Sequence, residues 1–482
     1  MREYLKFYID GQWVEPSGTK TWDVIDPATE EPSGRIALGE AEDVDRAAKA
    51  ARRAFKTYSQ TSREERVALL ERVLVEFEKR IPDLEAAVSE EMGAPMWVSR
   101  DAQVVLPHNH LKIAIENLKT YEFEEDRGLS LVRMVPVGVC GLITPWNWPA
   151  STVMTKVVPA LAVGCTLILK PSEYSPYSAQ ILTEVMEAAQ VPAGVFNLVY
   201  GDGPTVGAEL SRHPLIDMVS ITGSTRAGAE VARNAAESVK RVHQELGGKS
   251  PNIILESADI EGAVDRGVKG LMFNTGQSCS APSRMIAPQS KMEQVISAAR
   301  KAASEVTVGA PSEDAYTGPV VNGNQWNRIQ ELIQSGIDEG ATLVAGGVGR
   351  PEGYEKGYYV KPTVFANVTP EMSVAKEEIF GPVLVIQSYV DTEDAIELAN
   401  DSDYGLAAYV QGGSIDEVRE VGSRIPAGQV YLNGSGLDLI DFTVPFGGHK
   451  RSGNGREWGD FAFEAFLEPI SLVGYNPSPT SE

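Results

Sequence analysis

Cysteine, histidine and long apolar runs are all scarce in this chain. Its 482 residues include 3 cysteines (Cys140, Cys165 and Cys279) and 5 histidines. An odd, widely spaced set of thiols fits a reducing compartment better than a disulfide framework and offers no zinc-ligand pattern. The histidines are scattered, and the one close pair, His108 and His110, has a spacing of two that puts the rings on different sides of a helix. No metal site is expected. Basic residues are also outnumbered: 43 Lys and Arg against 67 Asp and Glu leave a net charge of -24, which argues against nucleic acid or an anionic membrane as partner. The longest uncharged apolar stretch, Val157 to Leu169, is closed by Lys156 and Lys170 and falls short of the roughly 18 residues of a membrane span. Met1 to Lys6 lacks the apolar run of a secretory signal. The expected location is the cytoplasm.

What is present reads as a large globular protein. Hydrophobic residues make up 43% and charged residues 23%, so the chain can bury a substantial core, and its length suggests two to four domains. Phe7-Tyr8-Ile9 and Trp13-Val14 flank Asp10-Gly11, a dipeptide that favours a tight hairpin. Thr61 to Glu65 carries capping-box patterns, and Val67, Leu70, Leu74 and Phe77 recur at helical spacing, predicting a helix with one face in the core. From Val135 to about residue 240, apolar runs alternate with helical segments: Val137 to Ile143, Thr166 to Leu169, Val195 to Val199 and Met218 to Ile221. That alternation predicts parallel strands with crossover helices. Ligands gather beyond the carboxyl ends of such strands, and each run ends in a chemically loaded loop: Pro145-Trp146-Asn147, Lys170 to Glu173, Gly201 to Gly203 and Thr222-Gly223-Ser224. Residues from Pro251 to about 440 repeat the alternation and read as a second α/β domain. Residues 119 to 134 and the tail after Glu464 are expected to pair as an exposed arm for subunit contact.

Several familiar motifs fail. Gly248-Lys249-Ser250 ends like a phosphate-binding P-loop, but His243 stands where the first glycine is needed. Gly201-x-Gly203 continues to Val206 where a dinucleotide fingerprint needs glycine or alanine. No G-x-S-x-G elbow or H-E-x-x-H helix occurs, so hydrolase and metalloenzyme readings lose their usual supports. Cys140 and Cys165 sit in apolar runs and read as core. Cys279 lies in the small, polar segment Asn274 to Pro282, which suits a nucleophile that substrate can reach. Glu245, before Gly247-Gly248, has the chemistry of a general base, and an ordinary turn glutamate is the alternative. Gly223 to Gly228 follows a strand and precedes a helical segment, where backbone N–H groups can meet a pyrophosphate.

Together these segments resemble the aldehyde dehydrogenase superfamily over nearly the whole chain. The motifs that carry the resemblance are Pro145-Trp146-Asn147-Trp148-Pro149, Lys170-Pro171-Ser172-Glu173, Thr222-Gly223-Ser224-Thr225, Glu245-Leu246-Gly247-Gly248-Lys249, Gly276-Gln277-Ser278-Cys279, Glu377 to Pro382, and Pro445-Phe446-Gly447-Gly448 with Lys450 and Ser452-Gly453. The resemblance implies an α/β fold: a Rossmann-like coenzyme-binding domain (1–118, 138–246 and 446–464), an α/β catalytic domain (247–445) and a small β oligomerisation arm (119–137 and 465–482). It implies oxidation of an aldehyde to a carboxylic acid through a thiohemiacetal and a thioester. Cys279 would be the nucleophile, Asn147 and the Cys279 backbone N–H the oxyanion donors, Glu245 the deacylating base, and Lys156 and Glu457 a proton path or a structural ion pair.

Coenzyme contacts implied in the same way are Trp146, Lys170 and Glu173 near the adenosine ribose, Gly223 and Ser224 near the pyrophosphate, Glu378 and Phe380 at the nicotinamide ribose, and Gly228 and Leu246. Glu173 can accept from ribose hydroxyls and would repel a 2′-phosphate, so NAD is favoured and NADP stays open. The presence of Glu245 favours hydrolysis over acyl transfer to coenzyme A. A coenzyme A-acylating semialdehyde dehydrogenase and a non-catalytic binding or structural relative are the alternatives. A homodimer or homotetramer is implied. Trp148, Phe442 and Trp458 offer aromatic surface for a substrate tunnel or for packing, and Leu437 to Thr443 contains no basic pair for a carboxylated aldehyde.

Overall fold

The computed structural model describes residues 1–435 and 439–476. Leu437 and Asp438 of the loop before Pro445, and residues 477–482 of the expected arm, lie outside the described residues.

Local chemistry is realised first. Phe7–Ile9 and Gln12–Val14 form the hairpin with Tyr8 opposite Trp13, and Asp10 and Gly11 take φ of 56° and 76°. Two successive positive φ values give the turn whose twist matches that of the strands it joins. Ser62 caps the helix Arg63–Lys79: its hydroxyl accepts from the Glu65 N–H at 3.1 Å while its own N–H donates to the Glu65 carboxylate at 2.7 Å. The buried face of this helix is Leu69, Leu70, Val73 and Phe77, with Val67 and Leu74 half-buried at its margins. It is turned slightly from the predicted stripe because the helices Val105–Thr120 and Pro176–Ala188 share that face.

The first large sheet has eight strands. Five are parallel and run across the sheet in the order Arg241–Glu245, Met218–Thr222, Val139–Ile143, Thr166–Lys170, Phe196–Leu198. The four apolar runs read from the sequence are four of these. The fifth, Arg241–Glu245, has no apolar run; it is a strand because it closes the edge beside Met218–Thr222 in register, Ser220 opposite His243 and Thr222 opposite Glu245. Gly453–Asn454 then adds antiparallel to it, Glu245 opposite Gly453, and so brings the C-terminal segment to the strand that ends in Glu245. The hairpin covers the other edge through Leu198 and Tyr8.

The chain moves outward from Val139–Ile143 through two strands and then returns to its other side. The strand order therefore reverses between Val139–Ile143 and Met218–Thr222, and a crevice opens beyond the carboxyl ends of strands at such a point. The loops at that crevice are Pro145-Trp146-Asn147 and Gly223-Ser224.

A second sheet of seven strands runs Thr342–Ala345, Thr363–Ala366, Val383–Tyr389, Arg284–Pro288, Pro251–Ile254, Ala407–Gln411, Gln429–Leu432, parallel except for its first strand. Its central strands are buried on both faces, as parallel sheets flanked by helices are. Leu467–Val473, Ser130–Pro136 and Glu124–Asp126 form a separate antiparallel sheet with Leu467 opposite Pro136 and Val473 opposite Ser130. The two segments expected to pair therefore do pair. Cys140 and Cys165 are buried free thiols in the core of the first sheet. Among the described residues, no helix is long and apolar enough to cross a membrane.

Candidate active site

Cys279 hangs from an unusual piece of backbone. The helix Ile260–Met272 gives way to a turn in which Asn274, Thr275 and Gly276 all take left-handed φ, 52°, 56° and 70°. For Asn and especially Thr this conformation costs on the order of 1–3 kcal/mol, so neighbours must hold it. Asn274 donates to the backbone carbonyls of Asn147 (3.1 Å) and Gln277 (3.3 Å) and accepts from the Gln103 amide (3.1 Å), while the Thr275 hydroxyl accepts from the Gly318 N–H (3.1 Å). At Gly276 a side chain is excluded outright, since a Cβ would stand 2.2 Å from the Gly381 carbonyl oxygen. Gln277 is anchored by its own side chain, which accepts from the Val321 N–H at 2.9 Å.

So presented, Cys279 stands on the wall between two cavities. One, of about 950 Å³, is mainly apolar and is lined by Trp148, Phe273, Tyr409, Tyr431, Phe446 and Trp458, together with Asn147, Glu245 and Glu457. The other, of about 830 Å³, is the crevice at the strand reversal and is lined by Trp146, Asn147, Gly223, Ser224, Leu246, Glu378 and Phe380. Cys279, Asn147 and Thr222 border both. Of the three aromatic residues singled out for a tunnel, Trp148 and Trp458 line the first cavity, whereas Phe442 packs edge-on against His110 at 5.0 Å.

The electrostatics of the wall are set by burial. Glu245 ends its strand fully enclosed, with neither carboxylate oxygen hydrogen-bonded, and burial followed by the nearby Glu457 holds it well above the usual carboxylate range. Burial, then the Glu378 and Glu245 carboxylates, push the Cys279 thiol up as well, so the resting site holds a thiol rather than a thiolate. Glu378 is pushed up to about 7, mainly by burial, although its carboxylate accepts from the Gly248 N–H at 2.8 Å.

Lys156 and Glu457 come from opposite ends of the chain. Lys156, on the helix Pro149–Val163, is fully buried and lies 2.6 Å from the Glu457 carboxylate. Glu457 is held in place by paired backbone hydrogen bonds with Phe446 (2.8 and 2.7 Å) and faces the first cavity beside Glu245. Lys156 also donates to the Ser220 hydroxyl at 2.8 Å, which contacts His243 Nδ1 at 2.8 Å.

The crevice fits a dinucleotide. Gly223 and Ser224 precede the helix Thr225–Ala235, with the Ser224 hydroxyl accepting from the Ala227 N–H at 3.2 Å. A Cβ built on Gly223 meets nothing closer than Ile221 at 3.9 Å, so there is open space beside the helix start that a pyrophosphate would use, although the Gly223 N–H itself donates to the Glu245 carbonyl at 3.0 Å. Glu378 offers ribose hydroxyls an acceptor on the facing wall. Trp146 and Phe380 meet edge to face at 5.3 Å. Lys170, the last residue of the neighbouring strand Thr166–Lys170, lies 3.4 Å from Glu173, and neither is among the residues that line the crevice. Gly228 lies outside the crevice lining: buried within the helix, it packs against Leu246, whose Cδ2 would be 2.5 Å from a Cβ there.

Sequence reading passed over Gln103, Asn274, Ser220 and His243. For His243 a signal existed, since residues two apart on a strand share a face and Glu245 is two residues on.

Comparison with known proteins agrees with this geometry. The model of the aldehyde dehydrogenase family matches residues 13–471. A 3-succinoylsemialdehyde-pyridine dehydrogenase from a Pseudomonas species is 52% identical over 99% of this chain and 100% of that protein. A Cys-to-Ala mutant of aldehyde dehydrogenase C from Pseudomonas syringae, solved with NAD+ and octanal, is 49% identical with a TM-score of 0.97, covering 98% of this chain and 97% of that one. Betaine aldehyde dehydrogenase from Staphylococcus aureus, solved with NAD+, is 34% identical with a TM-score of 0.94, covering 99% and 96%. The chain belongs to the aldehyde dehydrogenase family and has its mixed α/β fold. Its class is that of NAD-dependent oxidoreductases acting on aldehydes.

Proposed function

We propose that the protein oxidises an apolar aldehyde to its carboxylic acid, with Cys279 as nucleophile. The observation that carries this reading is the convergence of Cys279, Asn147 and Glu245 on one mainly apolar pocket. The Cys279 thiol gives its proton to Glu245, which releases it to solvent, and the sulfur attacks the aldehyde carbon; the oxyanion is met by the Asn147 amide and the Cys279 backbone N–H, donors held in place before the charge develops. When bound in the adjoining crevice, NAD supplies the acceptor for the hydride that the thiohemiacetal loses. Glu245 then takes the proton of the water that hydrolyses the thioester, and the Lys156–Glu457 pair stabilises charge beside it. A carboxylate on the thioester's wall supports hydrolysis over transfer to coenzyme A.

Trp146, Gly223, Ser224, Leu246, Glu378 and Phe380, which line the crevice, would hold the coenzyme, Lys170 and Glu173, paired outside that lining, would meet its adenosine ribose, and Gly228 would let its helix approach Leu246 closely enough to shape the crevice. The Glu173 carboxylate, paired with Lys170, favours NAD over NADP. Among the described lining residues of the substrate pocket the charged ones are Glu245 and Glu457, both acidic, which disfavours a carboxylated aldehyde. Octanal in the Pseudomonas syringae neighbour supports a long apolar substrate.

We assign residues 1–118, 138–246 and 446–464 to coenzyme binding, 247–445 to the catalytic domain, and 119–137 with 465–482 to an oligomerisation arm of a homodimer or homotetramer; the eight-stranded sheet, the seven-stranded sheet and the three-stranded sheet containing Leu467–Val473 fall one in each part, which supports this division. Three free thiols suit the cytoplasm.

The test is NADH formation from NAD and a panel of apolar, hydroxylated and carboxylated aldehydes, repeated with Cys279→Ala. Aldehyde-dependent NADH that favours the apolar members and vanishes in the variant is expected. Undiminished turnover in Cys279→Ala would remove the nucleophile from the mechanism.

A further inference from the structure

His243 faces Glu245 inside the site, and the hydrogen bonds behind it dictate how its ring is protonated. The two share one face of the strand Arg241–Glu245, and His243 lies in register with Ser220 on the next strand. The Lys156 ammonium has only donors, so the Ser220 hydroxyl, 2.8 Å from it, accepts there. Ser220 is then free to donate its own hydrogen to His243 Nδ1, also at 2.8 Å. A neutral imidazole that accepts at Nδ1 carries its hydrogen on Nε2. Neutrality follows from burial and from the cations around the ring, Lys156, Arg241 and Arg456, which hold His243 well below the ordinary histidine range despite the opposing Arg456 backbone.

That Nε2 makes no hydrogen bond of normal geometry, with only the Arg456 backbone beside the ring, and neither oxygen of Glu245 makes one. The two groups face each other with Nε2 3.9 Å from Oε1. This is too long for a hydrogen bond, and short enough for a small rotation of the Glu245 side chain to close. Buried polar groups are normally satisfied, so two such orphans turned toward each other mark a contact used in another state of the site. The fold also makes room for the ring: a Cβ on Gly455 would stand 2.0 Å from His243 Cδ2.

We propose that His243 is a positioning residue for Glu245, offering an Nε2–H donor, with its tautomer fixed by Lys156 through Ser220, that holds the carboxylate ionised and aimed at the deacylating water. This rests on the reading of Glu245 as the base. No proton leaves His243; Glu245 receives the water's proton, the hydroxide formed adds to the thioester carbon, and collapse of that adduct breaks the C–S bond, releasing the carboxylic acid and the Cys279 thiolate, which takes its proton back from Glu245.

The test uses p-nitrophenyl acetate, which acylates the cysteine without coenzyme and releases nitrophenolate as a burst, leaving deacylation to set the steady rate. In His243→Ala, loss of one hydrogen bond to a charged group should move the acid limb of the steady-state pH profile up by about one pH unit, about tenfold at a fixed pH on that limb. The burst amplitude should be unchanged. Ser220→Ala should move the limb the same way by less, and His243→Gln, whose amide can donate, should return it toward wild type. In Glu245→Gln, adding His243→Ala should change nothing more. An unmoved limb in His243→Ala overturns the proposal, and if that variant does not fold, an unmoved limb in Ser220→Ala does so. Undiminished deacylation in Glu245→Gln instead overturns the reading of Glu245 as base, and the proposal with it.

Discussion

Asn147 gives its side-chain amide to the backbone carbonyl of Gln277 at 3.0 Å, two residues before Cys279. Its own backbone carbonyl receives the amides of Gln103 (2.9 Å) and Asn274 (3.1 Å). The loop that begins the crevice and the loop that presents the thiol are thus fastened to each other, which leaves one amide hydrogen of Asn147 for an oxyanion. Asn147→Ala is expected to lower kcat/KM for aldehyde by roughly 10²–10³-fold, the usual effect of losing one such donor. Steady-state kinetics alongside NAD titration check this, with NAD affinity little changed.

Glu245→Gln keeps the shape of the side chain and removes the base. Acylation should persist and deacylation should stall, giving a burst of NADH near one equivalent per active site followed by slow turnover. A steady rate equal to wild type in rapid-mixing experiments would exclude Glu245 from the hydrolytic step.

The upward shift of the Cys279 thiol predicts its reactivity in the absence of ligands. Alkylation by iodoacetamide should be slower at pH 7 than for an unhindered thiol and should still be rising with pH above about 9, beyond the ordinary cysteine range. Because the Glu245 charge contributes to the shift, Glu245→Gln should accelerate labelling. Cys140 and Cys165 are fully buried, so mass spectrometry should find one modified site in native protein.

The Lys156–Glu457 pair is buried at both ends. Lys156→Met leaves a carboxylate enclosed without its partner and should cost about 3–5 kcal/mol of stability. Lys156→Met combined with Glu457→Leu should recover most of that loss, because neither charge then remains buried. Denaturant unfolding of the two variants decides between this and an additive effect.

Glu378, pushed up to about 7, changes charge near neutrality. Its acceptor strength is greatest when ionised, so NAD affinity should fall as pH is lowered through about 7 and level off above it. Calorimetric titration between pH 6 and 8.5 should show this dependence in wild type and its loss in Glu378→Gln.

Much of the fold was legible before the structure was consulted. The Asp10-Gly11 hairpin, the Ser62 cap and four of the five parallel strands were readable because turn chemistry and apolar runs act over a few residues. The fifth strand was not, because Arg241 to Glu245 is a strand by virtue of its neighbour rather than its own apolar content. Gly228 looked like part of a phosphate loop, and its φ/ψ and surroundings are those of a helix residue pressed against Leu246. The left-handed turn at Asn274 and Thr275 carried no signal, since it persists through contacts with Gln103, Asn147 and Gly318, all distant along the chain.

The sequence by itself determined the candidate chemistry: a thiol in a small polar loop, a carboxylate before paired glycines, and loaded loops after each predicted strand. Those are local properties, written in residue type and short spacing. Only the tertiary structure decided that residues 147, 245, 279 and 457 border one pocket, that burial raises the pKa of both Glu245 and Cys279 there, and that His243 turns its Nε2 toward Glu245. Strand order sets which distant segments meet, and burial sets what charge they carry when they do.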